Sequence, residues 1–495
     1  MNRRNFLATA GLATAGLVAG RAPAADAARP NLLIIHTDEH NFRTLGCYRA
    51  VMTPDQAFVW GKGVAVDTPH IDWIAQDGAL ATRFYATTPV CSPSRSSFVS
   101  GLYPQNTPVT NNDVPMRDGI ITFAEVLRQA GYATGYAGKW HLNGPGKPEW
   151  GPKRQFGFAD NRYMFNRGHW KQLEDTPNGP QVKARKGNQP TYDVKGADAT
   201  SFTTDFLADR TVAFIAAHRN EPFCWMVSIP DPHGPNTVRA PYDTMFDGMK
   251  FEAPRTMSGP DKGLPSWGQK QARDLNNAQM ARYFGMVKCI DDNVGKILKA
   301  VKAAGVLDRT IVVFTSDHGD LCGEHGRHNK GVPFETSARV AFVIRWPGKI
   351  RPGTVVHEAL GCVDFAPTIL ALMGLKAPAG VQGRDALALL TTGKAPEGWQ
   401  DIAFFRSTGA KADGHAWLAA VTKRWKIVYG GGEPWLFDLE TDPDELINFF
   451  AKPECREVVR DLSTALLAYG ATYKDPYVAE PAIKKALASA AGDML

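Results

Sequence analysis

The sequence predicts an α/β fold: a large mixed, mostly parallel sheet covered by helices on both faces, with a smaller C-terminal α+β unit. Three observations carry this. Short, continuous apolar runs at residues 31–37, 132–138, 222–228, 310–316 and 339–346 read as strands buried on both faces. Between them, apolar residues recur at helical spacing, most clearly at 280, 284, 287, 290, 294, 298 and 301. After residue 400 the pattern changes to closely spaced strand-like runs followed by a helix, which suits a small antiparallel sheet.

The elements follow in order. Residues 1–27 are expected to be an address: paired Arg3-Arg4, then Phe6-Leu7, a weakly apolar Ala/Gly/Leu stretch to Gly20, and the small-x-small Ala22-Pro23-Ala24. This resembles a twin-arginine export signal, and about 14 apolar residues are too few to span a bilayer. The strand at 31–37 delivers Thr37-Asp38-Glu39-His40 at its end. A helix over 122–130 closes at Gly131, and the strand 132–138 follows. The helix over 280–304 closes at Gly305, and the strand 310–316 ends in Ser316-Asp317-His318-Gly319. The strand at 339–346 stops at Pro347-Gly348. Strands are read at 417–422, 426–429 and 435–439, with a helix at about 455–469. Residues 28–390 are thereby assigned to a catalytic α/β unit and 391–495 to the C-terminal unit. Residues 144–200 and 230–275, rich in Gly, Pro, Asn and aromatics, are expected to be long ordered loops around a site.

Composition limits the function classes. The chain has 495 residues, 44% hydrophobic and 21% charged, which excludes a disordered chain, a collagen-like fibre and a small disulfide scaffold. The formal charge of +6 falls to +3 without Arg3, Arg4 and Arg21, and no dense Lys/Arg run marks a nucleic-acid partner. No later stretch approaches 18 apolar residues, so no membrane association is expected after processing. The seven cysteines are scattered without a Cys-x-x-Cys pair, which argues against a zinc ribbon.

The sharpest local feature is Cys91-Ser92-Pro93-Ser94-Arg95, running on to Gly101. Pro93 favours a helix start, where free backbone amides attract anions, and Arg95 adds a fixed cation. Carboxylates and a histidine gather at two strand ends, Asp38 and Glu39 at one, Asp317 and His318 at the other. Such a group suits a hard divalent cation such as calcium bound through oxygen. Lys139 and His141 stand two apart just past a strand, so alternation points them the same way.

Cys-x-Pro-Ser-Arg with glycine six residues beyond the arginine resembles the type I sulfatases, of the alkaline-phosphatase-like superfamily. The resemblance extends through Gly138-Lys139-Trp140-His141, Asp317-His318-Gly319, Lys330, Trp346-Pro347-Gly348, Asp364-Phe365-Ala366-Pro367-Thr368 and Leu436-Phe437-Asp438-Leu439. It implies that Cys91 is oxidised to formylglycine by a cytoplasmic formylglycine-generating enzyme before export. The chemistry fits: a sulfated thiol has no easy exit, whereas one hydroxyl of a hydrated aldehyde attacks sulfur and the other expels sulfate. It further implies Asp38, Glu39, Asp317 and His318 with Cys91 at the metal, Glu39 standing where Asp is commoner and His318 where Asn is. Lys139 and Lys330 are implied as sulfate-binding, with Arg95, His141 as base at Cys91 and His233 at the leaving oxygen. The expected activity is hydrolysis of a sulfate ester, of a sulfated carbohydrate in particular, in the periplasm or outside the cell. A phosphodiesterase or phosphonate monoesterase on the same scaffold, and a non-catalytic secreted carbohydrate-binding protein, are the alternatives. Trp150, Arg154, Phe156, Arg162, Tyr163, Arg167, His169 and Trp170 interleave aromatic and basic groups, as sugar subsites do, or as loop packing does.

Overall fold

The computed structural model of the chain describes residues 29–258, 263–271, 274–408 and 416–492. The export segment expected over residues 1–27 lies outside these.

Eight strands form the central sheet: β1 (Asn31–Asp38), β2 (Ala79–Ala81), β3 (Ala133–Lys139), β4 (Asp160–Phe165), β5 (Phe223–Pro232), β6 (Thr310–Ser316), β7 (Phe342–Arg345) and β8 (Thr354–Val356). Their order is β8-β2-β7-β6-β1-β5-β3-β4. The run β6-β1-β5-β3-β4 is parallel throughout, and β7 opposes both its neighbours. Every residue of β1 is buried, and the reason is two-sided coverage. Leu32 and Ile34 pack with Phe98, Phe123 and Phe365 on one face, while Leu33 and Ile35 pack with Phe206, Ile290 and Val294 on the other.

The covering helices are α1 (Pro69–Gln76), α2 (Cys91–Ser100), α3 (Phe123–Gln129), α4 (Thr203–His218), α5 (Asn277–Ala303) and α6 (Phe365–Leu372). Helix α3 starts in a capping box between Thr122 and Glu125, which satisfies two otherwise orphaned amides. It gives way at Gly131, which takes the left-handed φ of +81° that the chain reversal requires. Helix α5 is capped by the Asn276 side chain, one turn earlier than the apolar spacing starts, because a cap residue is polar and leaves no trace in that spacing.

Two expectations need correction. The run 339–346 is not one strand: Arg339–Val340 joins a small three-stranded sheet, and only Phe342–Arg345 enters the central one. Nor is 144–200 simply loop. It supplies β4, the edge strand beside β3, and two short hairpins, at Leu173–Thr176 with Gly179–Val182 and at Arg185–Lys186 with Gln189–Pro190. Edge and hairpin strands bury only part of each face, so no apolar run announces them.

Beyond residue 400, β9 (Ala403–Arg406), β10 (Leu418–Val421), β11 (Trp425–Tyr429) and β12 (Trp435–Asp438) make an antiparallel sheet in sequence order. Alternation divides its residues. Phe405, Ala419, Val428 and Phe437 face Tyr85, Leu321 and Phe334, while Leu418, Ile427 and Leu436 face helix α7 (Arg456–Tyr473) and α8 (Pro481–Ala491). Lys426 crosses the first of these interfaces, fully buried, to pair with Glu335 at 2.9 Å and with Glu445.

Candidate active site

Parallel strands bring their carboxyl edges together, and the order β6-β1-β5-β3 sets four chemical groups side by side. Asp317 follows β6, Asp38 ends β1, His233 follows β5 and Lys139 ends β3. Gly138, just before Lys139, takes φ +101°, and a Cβ there would fall 1.9 Å from the Ser228 carbonyl oxygen of β5. Only glycine lets β3 come this close and turn Lys139 inward.

Cys91 opens α2, a helix buried along all ten residues although five are serines. Burial of that many hydroxyls is tolerated because each finds a partner close by. Ser92 Oγ donates to the His141 carbonyl at 2.7 Å, Ser96 Oγ to the Pro93 carbonyl at 2.8 Å and Ser100 Oγ to the Ser96 carbonyl at 2.6 Å. Ser94 Oγ donates to the Asp317 carbonyl, and Ser97 Oγ accepts from Thr87 at 2.8 Å. The helix has no cap of its own at Val90; instead Asn112 Oδ1 accepts from the Ser92 amide at 3.0 Å. Phe98, on the same helix, stacks on Phe365 with centroids 3.9 Å apart and fixes it against α6.

The Cys91 thiol lies 3.2 Å from His318 Nε2, 3.6 Å from Lys139 Nζ and 3.7 Å from Asp38 Oδ1. Burial and the neighbouring Asp38 carboxylate push its pKa up. Both effects favour the thiol over the thiolate that cysteine nucleophiles use.

Arg95 sits between two carboxylates. Its Nε donates to Asp317 Oδ2 at 2.8 Å, Nη2 to Asp38 Oδ2 at 3.1 Å, and Nη1 to both the Lys139 carbonyl and Ser228 Oγ. All three nitrogens are thus engaged by protein acceptors. Although burial opposes ionisation, Lys139 and Arg95 hold the Asp38 carboxyl well below the usual range.

Asp38, Cys91, Asp317 and His318, all buried, offer one ligand atom each within 4.8 Å of one another. His318 donates from Nδ1 to the Gly319 carbonyl at 3.0 Å, which leaves the Nε2 lone pair turned toward the group. The donor set of two carboxylates and an imidazole fits a divalent cation. Glu39 stands apart from these four. Its backbone takes φ +61°, and its Oε2 pairs with Lys330 at 2.9 Å and His233 at 3.0 Å, while Oε1 is buried without a hydrogen-bond partner among the described residues.

The two histidines differ in state. His141 is held well below its ordinary pKa by burial and by Lys139 and Arg95. Its Nε2 is 3.2 Å from Asp113 Oδ1, and Nδ1 is buried with no hydrogen-bond partner among the described residues. For His233 burial also opposes charge, but the adjacent Glu39 carboxylate outweighs it and the pKa rises. His233 Nδ1 donates to the Gly234 carbonyl at 2.8 Å.

Cys91, Lys139, His141, His233 and Lys330 line one cavity of about 140 Å³. Asn112, Asp113, Lys147, Arg167, His169 and Tyr192 complete its wall. Of the interleaved residues at 148–170, only Arg167 and His169 line it. Trp170 is buried against Phe165 and Leu173, and Trp150 packs edge-on against Phe165 at 5.2 Å, so these tryptophans are packing rather than sugar platforms. Asn112, Asp113, Lys147 and Tyr192 lie in irregular segments and gave no signal in the sequence. His169 was legible only as one of the interleaved residues; its place beside Lys139 and His233 comes from the fold.

The Sulfatase family model matches residues 30–375, and the model of the C-terminal region of N-sulphoglucosamine sulphohydrolase matches residues 323–471. The chain is 26% identical to the N-acetylglucosamine-6-O-sulfatase of Bacteroides thetaiotaomicron, over 90% of this chain and 87% of that one. It is 28% identical to the choline-sulfatase of Rhizobium meliloti, over 86% and 83%. The crystal structure of yidJ from Bacteroides fragilis superposes with a TM-score of 0.73 at 25% identity, covering 92% of this chain and 99% of that one. Matched by the family model over most of its length, the chain belongs to the sulfatase family, and the protein is a sulfuric ester hydrolase of the alkaline-phosphatase-like fold.

Proposed function

We propose that this is an exported carbohydrate sulfatase in which Cys91 carries formylglycine and Asp38, Asp317 and His318 hold a divalent cation, calcium in the first instance. The observation that carries the reading is the convergence on Cys91 of the Asp38–Asp317–His318 group and Lys139, with Lys330 in the same cavity. A bound cation supplies positive charge against the sulfate oxygens. Conversion of Cys91 to the aldehyde gives this position, when hydrated, an oxygen nucleophile that the protonated thiol does not provide.

The chain's own groups have assignable work. Lys139 and Lys330 present ammonium groups to the sulfate oxygens. His141, kept neutral, takes a proton at Nδ1. His233, whose charged form Glu39 favours, gives one at Nε2 to the leaving oxygen. Arg95 positions: it spaces Asp38 and Asp317 and turns both toward the metal group. Glu39, with its unpartnered Oε1, is available to the cation as well. The N-acetylglucosamine-6-O-sulfatase among the relatives supports a sugar substrate. A choline ester is disfavoured by the cavity, whose ring at Tyr192 is already covered by Lys147 at 4.7 Å.

Two measurements test the reading. Mass spectrometry of the tryptic peptide spanning residues 84–95 is expected to show the aldehyde at Cys91 in protein from a host that makes formylglycine. Parallel assays on sulfate, phosphodiester and phosphonate esters are expected to favour sulfate. An unmodified thiol without turnover, or a preference for phosphorus esters, overturns it. Export is part of the proposal and rests on Arg3-Arg4. Replacing both by lysine is expected to leave precursor in the cytoplasm, and normal export of that variant refutes it.

A further inference from the structure

The cavity carries more positive charge than one sulfate needs. Four permanently cationic side chains line it, Lys139, Lys330, Lys147 and Arg167, against one lining carboxylate, Asp113. Their settings are graded. Lys139 is fully buried and paired with Asp38, and Lys330 is mostly buried and paired with Glu39. These two belong to the scissile sulfate. Arg167 is half-buried, with Nη1 2.6 Å from Asp113 Oδ2, and Asp113 is shared with His141. Lys147 is exposed, and among the described residues no carboxylate lies within ion-pair distance of it.

Lys147 is nevertheless held in place. Its ammonium lies 4.7 Å from the Tyr192 ring centroid and 5.4 Å from that of Trp170, and those two rings pack 4.9 Å apart. Arg167 stands three residues before the same tryptophan. At the next residue, Gly168, φ is +117° and a Cβ would lie 2.4 Å from Trp170 Cε2, so the backbone lies against the indole. Two cations side by side on the cavity wall, one over the Trp170–Tyr192 rings with no ion-pair partner among the described residues and one sharing Asp113 with His141, leave the site with more positive than negative charge.

We propose that Lys147 and Arg167 form a second anion subsite at the cavity mouth, so that the preferred substrate is at least a dianion, its ring carrying a further sulfate or a carboxylate beside the scissile ester. The inference deepens the sulfatase reading above and rests on it. It also gives the buried tryptophan at position 170 a purpose: it lies beneath the Lys147 ammonium rather than stacking on sugar.

The test uses three aryl esters that need no knowledge of the natural sugar: 4-nitrophenyl sulfate, and the same ester carrying a ring carboxylate or a ring sulfonate meta to the ester. The full-length enzyme is expected to show kcat/KM about three- to tenfold higher on the two ring-charged esters, the range of a partly exposed ion pair. Lys147→Ala and Arg167→Ala are expected to cost more on the charged esters than on the plain one, chiefly through KM. Lys147→Glu is expected to reverse the preference, and Lys147→Arg to keep it. A stronger preference for the carboxylate ester assigns an acidic sugar; a stronger one for the sulfonate assigns a polysulfated sugar. Equal kcat/KM on all three esters in the wild type, or a preference that survives the double Ala variant, overturns the subsite while leaving the sulfatase reading standing. Failure to cleave any of the three by protein that carries the aldehyde overturns both.

Discussion

The imidazole rings of His169 and His233 lie flat against each other, centroids 3.5 Å apart and planes 8° from parallel. Each meets a lysine, Lys139 Nζ at 2.9 Å from His169 Nε2 and Lys330 Nζ at 2.8 Å from His233 Nε2. Stacked imidazoles this close cannot both be charged at low cost. Burial and the cations around it, Lys139 first, hold His169 well below its ordinary pKa. Glu39 does the opposite for His233. The pair is thereby split into a neutral ring and one that favours its charged form, which is the pattern that separates acid from base roles in an active site.

Loss of the acid should depend on the leaving group. His233→Ala is expected to lower turnover by about 10²–10⁴ on alkyl or sugar sulfates, as a missing general acid does. Nitrophenyl sulfate, whose leaving oxygen needs little protonation, should lose far less. Steady-state kinetics on both ester types checks this, and equal losses would remove the acid role.

Arg95 neutralises two buried carboxylates at once. Arg95→Ala takes a counter-charge from both, although Asp38 keeps Lys139, and is expected to destabilise the fold by about 3–5 kcal/mol, the cost of breaking a buried pair from one side. Arg95→Lys should recover only part, because a single ammonium cannot reach the four acceptors that Nε, Nη1 and Nη2 satisfy. Urea denaturation of the three proteins measures the difference.

The metal group predicts stoichiometry as well as activity. Elemental analysis of purified protein is expected to find about one divalent ion per chain, lost on prolonged chelation and restored by calcium. Asp317→Ala should abolish the retained ion even where the protein remains folded by circular dichroism. Active protein free of any divalent ion would contradict the assignment.

Gly138→Ala should be costly for one added methyl. It forces a positive φ on alanine, about 1–3 kcal/mol, and places Cβ against the Ser228 carbonyl. Because Lys139 is the next residue, kcat/KM is expected to fall more than the melting temperature alone accounts for. Wild-type kinetics in this variant would show that β3 and β5 need not approach so closely.

Trp170→Ala is expected to act on the fold first, with about 3–5 kcal/mol lost from an aromatic removed from the core. Its thermal unfolding should therefore shift far more than that of Tyr192→Ala, whose ring lies on the cavity wall and is only half-buried. A stable Trp170→Ala protein would restore a surface role to this ring.

The alternation of buried strands and amphipathic helices was legible in the sequence because a parallel sheet covered on both faces must be written in continuous apolar runs, and 310–316 coincides with β6 residue for residue. The placement of Asp38, Asp317 and Lys139 was legible for the same reason, since they end such runs at the sheet edge where functional groups gather. The order of the strands was not, and that order is what sets these ends beside one another. Equally hidden were β4, the Asn112 cap on α2, the cation Lys147 and the stacking of His169 on His233, while Arg167 and His169 stood out only as members of the interleaved aromatic and basic run. For Trp150 and Trp170 the sequence left sugar subsite and loop packing both open, and the fold decides for packing. The division has one physical cause. Burial on a regular element imposes a period on the chain, which sequence records, whereas a loop residue is held by partners far away along the chain and leaves no period. Cys91 itself shows both halves: its neighbours along the chain announce a helix that begins at an anion site, and only the fold brings His318, Asp38 and Lys139 to within 4 Å of its sulfur.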